Sequence, residues 1–523
     1  MRDETGRQRV VIEEVTPEID GGRFPIKRVL NEKVVVEADV FTDGDDAVTC
    51  RLLYRREGAT AWSGAAMEVL PLPQTDRRRG ELTVTGEGRW QYTVSAWVDP
   101  FKTWRRDLAA RHAVGQTTGQ DAGAALQAGA ALIREAAGRA EAEGRKPAAR
   151  VLAGLAQGLE ADADPAARLR LALDDELAQL MERHADRRLA TSWRLLEIVV
   201  DRERARFSSW YEMEGLWEDA AAQLGAAAAM GFDVFSLKPG PEQEAGEDFR
   251  RLREQAAGLG IELAIRLMGP GAGAIDRWIA AGVRIFSVER PDSVPFPFWE
   301  QRIREIKSAH PDVLFLAGTV DRPKAARRLA KLGFTASRVE LAAPYSSLHQ
   351  SLDFVRPHLF WSPSESRPVF VQRLLLAATL GASYGVSGVS APLPAAAPEQ
   401  PDSLRELIAL VNKIRHESPA LQTDRGLRFH ATDNEQILCF SKVDDARENT
   451  ILVTINLDPE NVQSGWVELP VEALGLPRDQ PYQVHDLLTG ARYLWHGISN
   501  FVQLDPQSVP AHIFRVRRRV GQA

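Results

Sequence analysis

Only two cysteines occur in 523 residues, Cys50 and Cys439, and they stand far apart. That excludes a disulfide framework and a CxxC metal motif, and fits a reducing compartment. Long apolar runs are missing too. No run reaches the length of about 18 apolar residues that would cross a bilayer, so no membrane association is expected. The opening MRDETGRQRVVIEEV lacks the apolar segment of a signal peptide, and a cytoplasmic location is the expectation. Positive charge is not in excess: 65 Lys+Arg stand against 72 Asp+Glu, a net charge of -7. No basic field is therefore available to hold nucleic acid. HExxH, GxSxG and GxxxxGK[ST] are absent, and the ten histidines are scattered singly. Neither a metal nor another cofactor is expected.

What is present points to several domains, since 523 residues exceed a single core. Residues 1–105 alternate polar and apolar positions in KVVVEADVF, AVTCRLLYR and RWQYTVSAWV, the pattern of an N-terminal β-sandwich, with TDGDD and PLPQTDRRRG as turns. Residues 106–204 form a helical domain of two or three helices. Leu126, Ala130, Ile133 and Ala137 recur at helical spacing, as do Leu169, Leu173, Leu177 and Met181. Asp164 before Pro165 marks a helix start, and His184 extends an apolar stripe as a packed histidine. Across 205–415, FDVFSLKP, IELAIRL, VRIFSVE, VLFLAG, SRVELA, HLFWSP and ASYGVSG alternate with helical segments, which predicts a (β/α)8 barrel. Residues 416–523 return to strands as a C-terminal β-sandwich. The fold class is thus multidomain α/β, a TIM barrel flanked by two β-sandwiches and a helical domain.

A barrel places its chemistry at the C-terminal strand ends. Those of the third, fourth, fifth and seventh strands offer Arg266, Ser287 with Glu289, Gly318, and Ser364. A retaining glycosidase needs two carboxylates, and these ends supply Glu289 alone. Asp292, Asp321 and Glu365 lie just beyond, where loop acids and helix caps are the ordinary reading. The run Gly269–Gly273 follows a strand but lacks GxGxxG spacing and reads as a glycine turn.

RIFSVERPDSVPFPFWE, FLAGTVDRPKAARRLAKLGF, RPVFVQRLLLAATLGASYGV and AMGFDVFSLKP resemble the barrel of the maltose-1-phosphate-dependent α-1,4-glucan maltosyltransferases of the α-amylase superfamily. LRFHATDNEQIL, VTINLDP, YQVHDLLTG and DPQSVPAHIFRV resemble that family's closing β-domain, and RVVIEEVTPEIDGGRFPIKRVLNEKVVVEADVF its opening one. The resemblance implies that the nucleophile position holds Glu289, with Ser287 in place of an arginine. The acid/base position holds Gly318, Ser364 matches the supporting aspartate, and Arg266 the aspartate of the third strand. Gly318 has no side chain with which to protonate a leaving group, and Arg266 puts a cation where the family has an anion. Loops after the second and third strands are short: sixteen residues separate Leu267 from Arg284.

These departures imply a degenerate barrel and a pseudoenzyme, acting as a binding or regulatory partner in α-glucan (glycogen) metabolism. The expected partners are α-glucan or an active maltosyltransferase homologue. The expected assembly is a homo- or hetero-dimer through the N-terminal and helical domains. Trp210, Trp217, Trp361 and Trp495 are candidates to stack on glucan rings, against core burial for each. The alternative is an enzyme of altered chemistry using Glu289 with Asp292 or Glu365.

Overall fold

The computed structural model describes residues 8–71, 76–114, 120–161, 164–240, 243–269, 272–318, 322–340, 355–361, 366–388, 403–476 and 478–518. The chain divides into two compact units, Met1–Val200 and Asp201–Ala523.

In the first unit, Val10–Thr16, Lys33–Thr42, Arg77–Thr83 and Glu68–Val69 form one sheet in that order. A second sheet runs Ile26–Val29, Leu196–Asp201, Gly88–Val98, Val48–Arg56, Ser63–Ala66. The alternation in KVVVEADVF turns Val34, Val36, Ala38 and Val40 inward, against Leu52, Tyr92 and Ile198 of the other sheet. Two details differ from the sequence reading. Arg77–Thr83, expected as part of a turn, is a strand, with Arg77 and Arg79 paired to Glu37 and Asp39. Leu196–Asp201, expected in the helical segment, pairs with Gly88–Val98 instead, because its LEIVVD run buries Leu196, Ile198 and Val200 in the sandwich.

Helices occupy Pro100–Ala113, Gln120–Ala142, Lys146–Glu160, Pro165–Ala172 and Asp175–Arg183. Leu126, Ala130, Ile133 and Ala137 are all buried in their shared core. The Asp164 side chain caps its helix by accepting from the Ala166 N–H at 3.1 Å. The Leu169–Met181 stripe spans two helices rather than one. Asp174 interrupts it, its carboxylate accepting from the N–H groups of Glu176 and Leu177 at 2.7 and 3.1 Å. Among the described residues, five helices thus stand from Pro100 to Arg183, where two or three were expected over 106–204. His184 is buried, and burial lowers its pKa.

In the second unit eight parallel strands close into a barrel: β1 (Ser208–Glu214), β2 (Val234–Lys238), β3 (Glu262–Met268), β4 (Ile285–Glu289), β5 (Leu314–Ala317), β6 (Ala336–Glu340), β7 (Val355–Trp361) and β8 (Ser383–Gly388). β1 pairs with both β2 and β8, which closes the ring. Alternate residues face opposite ways. Tyr211, Phe235, Phe286 and Phe315 belong to the outer core with the helices. Trp210, Val234, Ala264, Ile285, Leu314 and Leu316 pack together as an inner floor.

At the strand N-termini, Asp233 holds Ser209 N–H at 2.7 Å, Arg204 at 2.6 Å and His416 Nε2 at 3.0 Å. Burial would raise the pKa of Asp233, but His416 and Arg204 outweigh it and hold it at about 2. Beyond the helix Ser403–His416, a six-stranded antiparallel sheet lays Phe440, Val453, Ile455 and Ile513 against the barrel core. A two-stranded ribbon, Gln463–Glu468 with Ser499–Leu504, packs Val467, Val502 and Leu504 into a core shared with Leu452 and Phe514 of that sheet. No helix among the described residues is long and apolar enough to cross a membrane.

Candidate functional site: the charged mouth of the barrel

Above the apolar floor, several lumen-facing positions are ionisable. β1 carries Glu212 and Glu214, β2 Lys238, β3 Arg266, β4 Glu289 and β6 Arg338. Glu212 is the hub and only 1% exposed. Its carboxylate accepts from Arg338 Nη2, from Arg266 Nη1 at 3.4 Å and from Ser387 Oγ of β8 at 3.5 Å. Arg266 reaches on to Glu214 at 2.8 Å, and Lys238 meets the same oxygen at 3.3 Å. Arg338 also donates to Glu289 at 3.3 Å. Among the described residues, three carboxylates face three cations, and the network ties β1, β2, β3, β4, β6 and β8 across the lumen. Charges this deep persist when paired, since a buried ion without a partner is costly.

Gly318 follows β5 directly beneath this network. A Cβ added there would lie 2.5 Å from Glu289 Oε2 and 2.9 Å from the Val288 carbonyl. The Glu289 carboxylate therefore occupies the volume a side chain at 318 would need. Gly318→Ala is expected to displace that carboxylate and to destabilise the barrel by about 1–3 kcal/mol, because the second contact is rigid backbone. Urea unfolding of the variant measures this, and an unchanged midpoint would show that the space is free.

The structure brings together Arg266, Glu289 and Gly318, with Ser287 buried one lumen position below Glu289 on β4. Asp292 does not join them: it pairs with Arg322 at 3.1 Å on the turn after β4. Ser364, Glu365 and Asp321 lie outside the described residues, as does part of Gly269–Gly273. Of the stacking candidates, Trp210 and Trp495 are buried and Trp217 is partly buried. Trp210 forms the lumen floor, Trp495 is buried against Phe514, and Trp217 packs on Phe249 and Trp278. Trp361 ends β7, but its side chain is outside the described set.

Sequence reasoning missed Glu212, Glu214 and Arg338. The signal was available in SSWYEME, whose alternate Ser208, Trp210 and Glu212 mark one face of a strand. A cleft of about 600 Å³ opens beside the network between the ends of β1, β2 and β3, lined by Glu214, Leu216, Lys238, Gln243, Arg266 and Met268. Among the described residues no group of three or more His, Cys, Asp or Glu is placed to hold a metal ion.

A closed parallel barrel with its ionisable residues gathered at the C-terminal strand ends, followed by an antiparallel β-domain, defines the class: a (β/α)8-barrel protein with its polar groups at the face where such barrels place their sites. Residues 8–202 match the family description α-1,4-glucan:maltose-1-phosphate maltosyltransferase, domain N/S, and residues 429–516 match GLGE, C-terminal. An α-1,4-glucan:maltose-1-phosphate maltosyltransferase of Chlorobaculum tepidum is 30% identical, with 98% of this chain and 97% of that protein aligned. One of Rhodospirillum rubrum is 32% identical over 97% and 95%. The chain belongs to this maltosyltransferase family. The first alignment runs over 666 positions against 523 residues here, so the relative carries segments without a counterpart in this chain. Among solved structures, an α-amylase of Geobacillus thermoleovorans complexed with acarbose aligns at a TM-score of 0.46 with 14% identity, covering 60% of this chain and 99% of that one.

Proposed function

We propose that this chain is a non-catalytic member of the maltosyltransferase family that acts by binding α-glucan. One observation carries the reading: the Glu289 carboxylate fills the space over Gly318, the position where the family resemblance puts the acid/base. Retaining transfer needs a nucleophile free to attack and a second carboxyl roughly 5 Å away to shuttle the proton. Here the nucleophile position is tied to Arg338 and the acid/base position has no side chain. Arg266, at the family's third-strand aspartate, is held by Glu212 and Glu214, so it adds a fixed cation to the mouth. The short connections after β2 and β3 support the same reading, since they leave little chain to enclose a donor sugar.

The test is phosphate release from maltose-1-phosphate with a malto-oligosaccharide acceptor, beside an active family member. The expected result is no release above buffer. Sustained turnover proportional to protein concentration would sink the reading.

A further inference from the structure

The geometry points to a glucan-binding platform on the outer face of the C-terminal ribbon, built on Trp466 and Phe501, remote in sequence from every candidate residue of the barrel mouth. The inference rests on the glucan-binding reading above and names a site for it.

Trp466 and Phe501 stand directly opposite each other in the ribbon register. They are 49% and 50% exposed, although each is large enough to bury a great deal of apolar area. Their ring centroids are 5.6 Å apart at 65°, an edge-to-face corner rather than a flat stack. The corner is held from behind. The neighbours Val467 and Val502 turn inward to the domain core, at 0% and 3% exposure. Asp433 Oδ1 accepts from the Trp466 N–H at 2.6 Å, and the Trp466 carbonyl accepts from Asp433 N–H at 3.2 Å. The rings are thus fixed on a rigid backing, which lowers the entropy lost on binding.

The flanks say what fits. On the same face the adjacent cross-strand pairs are Ser464 with Gln503 on one side and Glu468 with Ser499 on the other. Within the ribbon, apolar surface on this face is therefore limited to one aromatic pair, with Val462 and Ile498 exposed just outside the two strands. That is less than the contiguous patch of several hundred Å² expected at the core of a protein interface. Hydroxyl, amide and carboxylate groups flank it instead. Glu468 is the sole charge among these six side chains, and no cation is present, so an anionic ligand has no counter-charge here. A neutral polyol with an apolar C–H face and equatorial hydroxyls, the pyranose ring of a glucan, matches both halves of this surface.

The test is affinity electrophoresis of the full chain in native gels containing glycogen, with wild type, Trp466→Ala, Phe501→Ala and Trp466→Phe. Wild type should be retarded, and each alanine variant should raise the apparent Kd roughly tenfold, since half-exposed rings bury their remaining exposed area against the ligand. Trp466→Phe should recover most of the retardation, which a merely structural role in folding does not require of an exposed ring. Thermal unfolding of the same samples confirms that the core is intact. Retardation of both alanine variants equal to wild type would overturn this site while leaving glucan binding standing. No retardation of wild type would overturn both the site and the glucan half of the functional reading.

Discussion

Glu289→Ala is expected to leave phosphate release from maltose-1-phosphate unchanged from the wild-type background. In an active retaining enzyme, deleting the nucleophile removes most of an acceleration of about a million-fold or more. On the proposed non-catalytic reading, nothing comparable is available to lose here. General acid assistance alone is worth roughly 10²–10⁴-fold, and residue 318 supplies none. Glu212, the other buried carboxylate of the mouth, is clamped between Arg266 and Arg338 and cannot travel to a leaving group. Asp292 is engaged with Arg322. The decisive comparison is wild type against variant at equal protein concentration with a long incubation. A loss of turnover in the variant would make Glu289 a working nucleophile.

The larger effect on stability is expected at Glu212. Glu212→Gln removes the negative charge that Arg266 and Arg338 share, and both guanidiniums are more than nine-tenths buried. Breaking such a pair from one side costs about 3–5 kcal/mol, which thermal or urea unfolding reads directly. Glu214→Gln is the control. It also loses a contact to Arg266, but its side chain is 60% exposed, so water replaces the partner and the cost stays below about 1 kcal/mol. Equal shifts for the two variants would contradict the assignment of Glu212 as the hub.

The two readings, of sequence and of structure, part at particular residues. The strands that read clearly were those with apolar runs, such as IELAIRL and VLFLAG, because a barrel buries both faces of a parallel strand. SSWYEME was passed over, since its serines and glutamates read as polar. Yet this strand closes the ring and carries the hub of the charged network. Gly318 was legible as a missing side chain, but not as space already filled. That depends on the reach of Glu289, which no sequence spacing encodes. Trp466 escaped notice because inward and outward rings look alike in a β-rich run. Ribbon register decides which of Trp466 and Val467 faces out.

The contact between Glu289 and Gly318 also constrains the order in which the two positions can change. A larger residue at 318 meets the Glu289 carboxylate and the Val288 carbonyl, so that step is penalised first. Shortening residue 289 to aspartate draws its charge back from Arg338, which weakens the network. Each of these two substitutions is therefore expected to lower stability on its own, and shortening residue 289 relieves only the carboxylate contact at 318, not the one with the Val288 carbonyl. The packing of the mouth thus couples the two positions: what a change at one costs depends on the residue at the other, so their effects on stability are expected to be non-additive.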